Sequence, residues 1–208
     1  MIVHQIWFDM GGDFPQMFQE LSDIVKIFCK RNGYKYKVWN EKMSQNLINK
    51  YPQYKSMYNN VKYPIMRVDI IRFLILYHEG GLYLDFDIEP KIKKLKDYDW
   101  AVSVYNRKSP KYNMEAIQSK KGNQLNLDYL DYVKTQIKEK DKISIYNQWK
   151  IRYVLNTTGP RSLTRFIKEN KIKPQTYKVN NSTTNPNSMN LEGGEEFLSY
   201  PSGSWIGK

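Results

Sequence analysis

The chain has one cysteine, two histidines and no long apolar run in its 208 residues. The single cysteine, Cys29, excludes an internal disulfide, and its place on the apolar side of a predicted helix indicates a buried thiol in a reducing compartment. No stretch approaches the roughly 20 apolar residues that a membrane-spanning helix needs. The N-terminus also lacks the basic start, apolar stretch and cleavage site of a leader. We expect a soluble protein of the cytoplasm or another reducing compartment, with no signal peptide or membrane anchor in this chain.

Acidic residues are few relative to basic ones, 21 against 33, so the formal net charge is +12. This balance suits an anionic partner, whether nucleic acid, a phosphorylated substrate or an anionic membrane surface. The lysines of KIKKLK (91–96) alternate with apolar residues, however, which is typical of a solvated face. Charge alone leaves the partner open, and a peripheral contact with a membrane is compatible with it.

The chain has enough apolar surface for one core. Hydrophobic residues make up 40% and aromatic residues 14% of the sequence, which is typical of a folded globular protein. The length favours a single domain over residues 1–208, and no internal repeat of 20 to 50 residues is present. The stretch NNSTTNPNSMN predicts a flexible loop over 180–190, after which residues 191–208 return to the body of the fold.

Strand-like and helix-like patterns alternate along the first half of the chain. Residues 2–8 predict a strand, helical spacing follows from Pro15 to Gly33, and residues 34–39 again predict a strand. This β-α-β beginning indicates an α/β fold with a parallel sheet and helices on its faces. Further helices are predicted at 41–49, 52–59, 64–77, 125–138 and after Pro160, and further strands at 82–88, 101–105 and 176–179.

Two carboxylates lie in the otherwise apolar stretch GGLYLDFDIEP (80–90). Alternation over 82–88 sends one set of side chains to the core and the other to a crevice at the carboxyl end of the strand. The core set is Leu82, Leu84 and Phe86, and the crevice set is Tyr83, Asp85 and Asp87. Like charges on a partly buried face repel unless a cation offsets them, and all-oxygen ligands favour Mg²⁺ or Mn²⁺ beside a diphosphate. A bare Asp-x-Asp can also simply end a strand and face solvent.

The helix predicted before this strand carries Asp69 and Arg72, three residues apart on one face. Two ionised residues in a buried helix cost several kcal/mol unless they pair with each other or with a ligand. The pattern therefore predicts either a structural ion pair or a pair that binds substrate, and the residues alone leave both open.

The segment RVDIIRFLILYHEGGLYLDFDIEP (67–90) resembles the DXD-containing sugar-binding region of glycosyltransferase family 32, which includes initiating mannosyltransferases, and of the large glucosylating bacterial toxins. In both groups an Asp and an Arg on a helix precede a Gly-Gly turn, a Tyr and an Asp-x-Asp. Three further stretches are similar to family segments: VHQIWFDMGGDFP (3–15), TTGPRSLTRF (157–166) and SGSW (202–205). Together these matches extend over nearly the whole chain.

The resemblance implies a GT-A fold, a Rossmann-like α/β architecture with a mixed central sheet and helices on both faces. It implies a retaining hexosyltransferase that uses Mn²⁺ or Mg²⁺ to move a sugar from a UDP- or GDP-sugar to a hydroxyl of a glycan, glycolipid or protein. Nucleic acid is not expected as a partner. By the same resemblance Asp87 and Asp85 hold the metal, and Asp85, Asp87 and Arg72 are catalytic. The donor contacts that it implies are Ile6, Trp7, Asp69, Arg72, Tyr83, Asp85, Ser204 and Trp205, with Trp7 stacking on the base, although a core aromatic is the alternative for Trp7.

The chain departs from the family pattern near its C-terminal Ser-Trp, because no histidine precedes that pair. The two histidines are His4 and His78, which leaves Ser204 and Glu196 as the available oxygen ligands there. One alternative is therefore an impaired relative that binds nucleotide sugar without turning it over. Another is a basic nuclease or nucleic-acid-binding protein with the same carboxylates in a two-metal site. That alternative accounts for the net charge but not for Trp7 or for the Gly-Gly turn.

Overall fold

The computed structural model describes residues 1–9, 13–105, 111–141, 150–181 and 196–200. Helices and strands alternate over most of this part of the chain. The helices are α1 (Gln16–Asn32), α2 (Glu41–Ile48), α3 (Pro52–Asn59), α4 (Pro64–Glu79), α5 (Leu125–Lys140), α6 (Lys150–Thr157) and α7 (Pro160–Glu169). The strands are β1 (Ile2–Ile6), β2 (Lys35–Trp39), β3 (Gly81–Leu84), β4 (Ile88–Pro90), β5 (Trp100–Tyr105), β6 (Tyr112–Ser119), β7 (Gln175–Asn181) and β8 (Phe197–Ser199).

Local sequence signals set the ends of several helices. Gly33 ends α1 in the left-handed conformation, with φ 66°, which glycine adopts without the cost borne by other residues. Pro64 occupies the first turn of α4, where a missing N–H costs nothing, and the Gly80 N–H closes that helix on a carbonyl of its last turn. At α2 the Asn40 side chain accepts a hydrogen bond from the Met43 N–H, which is the usual role of an N-cap residue.

The strands form one mixed sheet in the order β2-β1-β3-β6-β5-β7-β8-β4. The β1, β2 and β3 strands pair in parallel, and so do β5, β7 and β8, while β3–β6, β5–β6 and β4–β8 are antiparallel. Only residues 85–87 separate β3 from β4, yet five strand spacings lie between them in the sheet order. Five spacings need about 24 Å in a flat sheet, and this linker spans at most about 14 Å. The sheet therefore curls until its β4 edge returns to β3.

Helices cover both faces of the sheet, as expected for the GT-A fold. One core cluster contains Tyr83 and Ile117 from the sheet together with residues of α2, α3, α4, α5 and α7. The other contains Leu82 and Leu84 with the apolar side of α1, including Cys29. Cys29 is buried, at 2% exposed, which confirms the prediction of a buried thiol, and burial raises its pKa to about 11.

The prediction of one strand over 82–88 was wrong in its second half. The β3 strand ends at Leu84, and the Ile88 N–H donates to the Asp85 carbonyl at 3.2 Å, which makes residues 85–88 a turn. The run looked like a strand because Phe86 and Ile88 are both buried, at 7% and 0% exposed. Alternation of burial therefore continues through the turn although the strand does not.

Four elements were not predicted: β4 as a separate strand, β6, α6 and β8. The predicted loop at 180–190 lies mostly outside the described residues, and residues 180–181 extend β7. None of the helices in the described stretches is both long and apolar enough to cross a membrane.

Candidate active site

The carboxyl ends of three strands meet at one edge of the sheet. The β1 and β3 strands are parallel, and β5 runs in the same direction because both β3 and β5 are antiparallel to β6. Trp7 follows β1 directly, Asp85 follows β3 directly, and Tyr105 is the last residue of β5. The edge that α/β sheets use for ligands thus carries two of the predicted site residues.

Arg72 is the centre of the charge network behind this edge. Its guanidinium donates to the Asp69 carboxylate at 2.8 Å and to the Met114 carbonyl at 2.9 Å, and it lies 3.4 Å from the Asp85 carboxylate. It also stacks over the Tyr83 ring, 4.6 Å from the centroid. Burial alone would lower the pKa of Arg72, but Tyr83, Asp85 and Asp69 outweigh it and raise that pKa. The guanidinium therefore stays charged and ties α4 to β3 and β6.

Tyr83 and Asp85 are joined by a hydrogen bond from the Tyr83 hydroxyl to the Asp85 carboxylate, 2.5 Å long. The Tyr83 ring is 1% exposed, whereas the Asp85 side chain is 33% exposed. Burial raises the pKa of the Asp85 carboxyl, and the nearby Arg72 and Tyr83 oppose that rise. Two side chains behind Asp85 thus fix its carboxylate while part of it still faces the crevice.

Asp69 links the network to the Thr-Gly-Pro segment. Its second carboxylate oxygen accepts a hydrogen bond from the Thr158 hydroxyl at 2.7 Å, and the Thr158 carbonyl accepts one from Tyr129 at 2.8 Å. Asp69 and Arg72 are 6% and 4% exposed. The ion-pair interpretation of these two residues is therefore correct, and their predicted contact with the donor stays a prediction.

The backbone of the Asp85–Asp87 turn is held from three sides. The Gln5 amide donates to the Asp85 carbonyl at 3.3 Å, and the Asp85 N–H donates to the Glu115 carbonyl at 2.8 Å. On the other side, the Tyr200 N–H donates to the Asp87 carbonyl at 2.8 Å. The chain around residue 200 therefore returns to the Asp-x-Asp turn.

Trp7 belongs to an aromatic cluster at the same turn. Its ring lies edge-on to Phe14 at 4.8 Å and to Phe18 and Phe86 at 6.0 Å between centroids. Phe86 is the residue between the two aspartates, so the structure brings Trp7 to the Asp-x-Asp turn. Trp7 is partly exposed, whereas the preceding Ile6 is buried, at 6% exposed. Stacking of Trp7 on a nucleotide base stays a prediction.

Glu115 on β6 is a third carboxylate near this turn that sequence reasoning missed. One of its oxygens accepts hydrogen bonds from Tyr105 at 2.9 Å and Ser199 at 3.3 Å, while the other is buried and has no partner among the described residues. Burial, with Asp85 and Asp87 nearby, raises the pKa of Glu115 to about 8. The register of β5 against β6 shifts between Val102 and Ser103, and this irregularity hid β6 and Glu115 from a search for alternation.

The residues present fit a divalent cation held partly by substrate. Asp85 and Asp87 offer carboxylate oxygens of the kind that such a cation prefers, and a buried oxygen of the nearby Glu115 has no hydrogen-bond partner among the described residues. No group of three or more His, Cys, Asp or Glu side chains suited to a metal occurs in the described part of the chain. The Glu196 carboxylate is bound to Lys96, and Ser204 and Trp205 lie outside the described residues.

Comparison with known proteins gives a sequence match over the same region. Residues 18–100 match the family described as glycosyltransferase sugar-binding region containing DXD motif. The chain is 37% identical over 87 residues to the mannosyl phosphorylinositol ceramide synthase SUR1 of Saccharomyces cerevisiae, covering 41% of this chain and 22% of that protein. It is 39% identical over 88 residues to the inositol phosphoceramide mannosyltransferase 3 of Schizosaccharomyces pombe, and the match covers 42% of this chain and 24% of that protein. The chain thus spans about a quarter of the length of these curated relatives.

Solved structures show a similar fold. The PaToxG glycosyltransferase superposes with a TM-score of 0.56 at 18% identity, over 81% of this chain and 69% of that one. The ligand-free glycosyltransferase domain of the YGT toxin gives a TM-score of 0.52 at 10% identity, over 85% of this chain and 79% of that one. These likenesses confirm the GT-A fold. Residues 18–100 therefore match a glycosyltransferase sugar-binding region containing the DXD motif, in agreement with the resemblance to family 32 and to the glucosylating toxins.

Proposed function

We propose that this chain is a metal-dependent, retaining glycosyltransferase that moves a hexose from a nucleoside diphosphate sugar to an acceptor hydroxyl. The observation that carries the proposal is the Asp85–Asp87 turn at the carboxyl edge of the sheet, with Arg72 and Tyr83 fixing the Asp85 carboxylate from behind. A carboxylate held in this way is prepared for a ligand before the ligand arrives, which is how electrostatic catalysis avoids reorganisation.

The chain's own residues supply positioning. Asp85 and Asp87 are the groups that would hold Mn²⁺ or Mg²⁺, and when bound, such an ion neutralises the charge that develops on the departing diphosphate. Trp7 lies at the same turn, where its exposed part can pack on the donor base. Asp69 and Arg72 keep α4 against the turn, so the donor sugar is bound against a fixed wall.

Retention of the anomeric configuration follows from the family resemblance. It requires either a protein nucleophile on the opposite face of the sugar or a front-face route in which the leaving phosphate helps to deprotonate the acceptor. The structure assigns no nucleophile among the described residues, so the proposal does not choose between these routes.

The curated relatives suggest which donor to test first. Their names describe mannosyltransferases that act on inositol phosphoceramide, so mannose is the first donor sugar and a glycolipid the first acceptor class. Glycan and protein acceptors remain within the proposal, because the chain covers only about a quarter of those relatives.

The central test replaces Asp87. We expect Asp87→Asn to reduce Mn²⁺-dependent hydrolysis of the preferred nucleotide sugar by about 100-fold or more, the scale on which removal of one preorganised charged group acts. The assay measures released UDP or GDP with and without Mn²⁺. Circular dichroism checks that the variant is folded.

The matched control is Asp23→Asn on α1, whose exposed carboxylate pairs with Lys26 and Gln19 of the same helix. Hydrolysis by this control should equal that of the parent chain. Undiminished turnover by Asp87→Asn would overturn the metal assignment. Nucleotide binding without turnover in the parent chain would instead support the impaired relative that the missing histidine suggests.

A second measurement separates the proposal from the nucleic-acid alternative. A ligand at 100 times its dissociation constant stabilises the folded state by about 2.7 kcal/mol. UDP or GDP with Mn²⁺ should therefore raise the melting temperature measurably, and a short DNA or RNA duplex should not. The reverse result would favour a nuclease or nucleic-acid-binding protein.

A further inference from the structure

A cavity of about 460 Å³ opens beside the candidate active site, between β6 and the N-terminal side of α7. One wall consists of Tyr105 and Tyr112, and the other is the exposed face of α7. The Thr164 hydroxyl donates to the Tyr112 carbonyl at 3.1 Å, so a hydrogen bond between the two walls fixes their separation. The volume lies within the usual range for a small-molecule site.

The charge in this cavity has one sign. Lys111, Arg161 and Lys168 line it, and no carboxylate does so among the described residues. None of the three cations forms an ion pair with a described residue. Arg161 and Lys168 are seven residues apart, so both lie on one face of α7 with Thr164 between them. Concentrated positive charge in a concave site attracts anions more strongly than the same charge on a convex surface.

The cavity adjoins the Asp-x-Asp turn through Tyr105. This residue lines the cavity, and its hydroxyl donates to Glu115 at 2.9 Å. The Glu115 carbonyl in turn accepts from the Asp85 N–H. A molecule bound in the cavity would therefore lie next to the place where the proposed donor sugar is held.

We propose that this cavity is the acceptor site and that it binds the phosphoryl group of a phosphorylated sugar or polyol, presenting a hydroxyl to the donor. The inference rests on the proposed glycosyltransferase function and adds the place in the fold, and the cations Lys111, Arg161 and Lys168, that would bind the acceptor's phosphoryl group. A soluble sugar phosphate and the headgroup of a phospholipid share this chemistry. The two tyrosines give the acceptor's ring or carbon chain a surface to pack on, and the three cations hold its phosphoryl oxygens.

The test uses the full chain with its nucleotide site saturated by UDP or GDP and Mn²⁺, so that only a second site remains free. Glucose 6-phosphate and glucose are titrated calorimetrically, and vesicles of phosphatidylglycerol and phosphatidylcholine are compared by sedimentation. The variant is Arg161→Gln with Lys168→Gln. The control is Lys30→Gln with Arg31→Gln, which removes the same charges from exposed positions on α1.

We expect the parent to bind glucose 6-phosphate and not glucose, and the α7 variant to bind it at least 10-fold more weakly while the α1 control is unchanged. If the parent also binds vesicles and the α7 variant does not, the ligand is a lipid headgroup. If the parent binds the free sugar phosphate and no vesicles, the acceptor is soluble. Equal binding by parent and α7 variant, or equal loss in the α1 control, would overturn the inference. If the parent fails to bind either nucleotide but binds the sugar phosphate through α7, the proposed function falls and the phosphoryl site stands.

Discussion

At the scale of single residues, the buried Arg72 should contribute strongly to the free energy of unfolding. It is paired with Asp69 and also contacts Asp85. Removing one partner of a buried pair leaves an uncompensated charge, so Arg72→Met should lower the free energy of unfolding by about 3–5 kcal/mol. The double variant Asp69→Asn with Arg72→Met should lose less than the sum of the single changes. Urea denaturation of the three variants measures this.

The exposed pair Arg67–Glu41, 2.6 Å apart, is the control for that prediction. Because surface ion pairs contribute little, Arg67→Met should change the free energy of unfolding by about 1 kcal/mol or less. If Arg67→Met and Arg72→Met lower the free energy of unfolding equally, burial of the Asp69–Arg72 pair is not the cause of its effect.

His4 predicts a specific dependence of stability on pH. Its Nδ1 accepts a hydrogen bond from the Trp39 indole N–H at 3.1 Å, so its Nε2 carries the proton donated to the Gly80 carbonyl at 2.8 Å. Burial lowers the pKa of His4 from 6.5 to about 4. Between these values the unfolded chain binds a proton that the folded chain does not. Stability should therefore be complete above pH 6.5 and fall by about 3 kcal/mol as the pH drops to 4.

Urea denaturation at pH 7.5 and 4.5, on the parent chain and on His4→Gln, isolates this contribution from that of other groups. The variant should be the less stable form at pH 7.5, because it loses one or both hydrogen bonds, and the difference should shrink or reverse at pH 4.5. A difference that stays constant across this range would refute the assignment of a neutral His4.

At the scale of elements, the junction between α4 and β3 depends on Gly80 and Gly81, which both have a positive φ. Gly81 has φ 110°, and a Cβ there would lie 2.2 Å from the Ile2 carbonyl oxygen of β1. Gly81→Ala should therefore disrupt the β1–β3 pairing and prevent stable folding, since neither strand can move away from the backbone contact. Melting temperature and far-ultraviolet circular dichroism report the result.

Gly33 at the end of α1 provides the matched comparison. Its φ is 66°, but no atom lies within 4 Å of the position that an alanine methyl group would occupy. Gly33→Ala should cost only the left-handed backbone penalty, about 1–2 kcal/mol. If both alanine variants lose the same stability, the close approach of β1 at Gly81 is not the cause.

Sequence patterns predicted the elements whose ends carry strong local signals. Gly33 and Pro64 marked helix ends that the structure reproduces. The turn at residues 85–88 has neither glycine nor proline, and Gln5, Glu115 and Tyr200, all distant in sequence, hydrogen-bond to its backbone, so nothing local indicated it. The β6 strand is buried on both faces and irregular in register, so alternation could not reveal it.

The sequence predicted the site residues of one continuous segment but not those that reach the site from other strands. Asp69, Arg72, Tyr83 and Asp85 come from one continuous segment, and the structure joins all four in a single network. Glu115 and Tyr105 reach the site only through the pairing of β5, β6 and β3. A single sequence contains no local sign of that pairing.

At the scale of the whole molecule, the two core clusters share one sheet, so they should unfold together. Phe73 belongs to one cluster and Leu82 to the other, and both are 0% exposed. Phe73→Ala and Leu82→Ala should each lower the free energy of unfolding by about 3–5 kcal/mol. In both variants the tryptophan fluorescence and circular dichroism transitions should coincide.

Ile27 on α1, which is 57% exposed, is the control, and Ile27→Ala should stay within about 0.5 kcal/mol of the parent. Separate fluorescence and circular dichroism midpoints in either core variant would show that the two faces of the sheet unfold independently.

The curl of the sheet has a consequence for the order in which the protein acquires its site during synthesis. Among the strands of the described residues β4 pairs only with β8, and the Asp87 carbonyl accepts a hydrogen bond from the Tyr200 N–H. More than a hundred residues are translated between the two partners, whereas β1, β2 and β3 can pair much earlier. The Asp-x-Asp turn should therefore be among the last parts to become rigid. A nascent chain that stops before β8 would hold most of its core and still lack the hydrogen bond from Tyr200 to the Asp87 carbonyl.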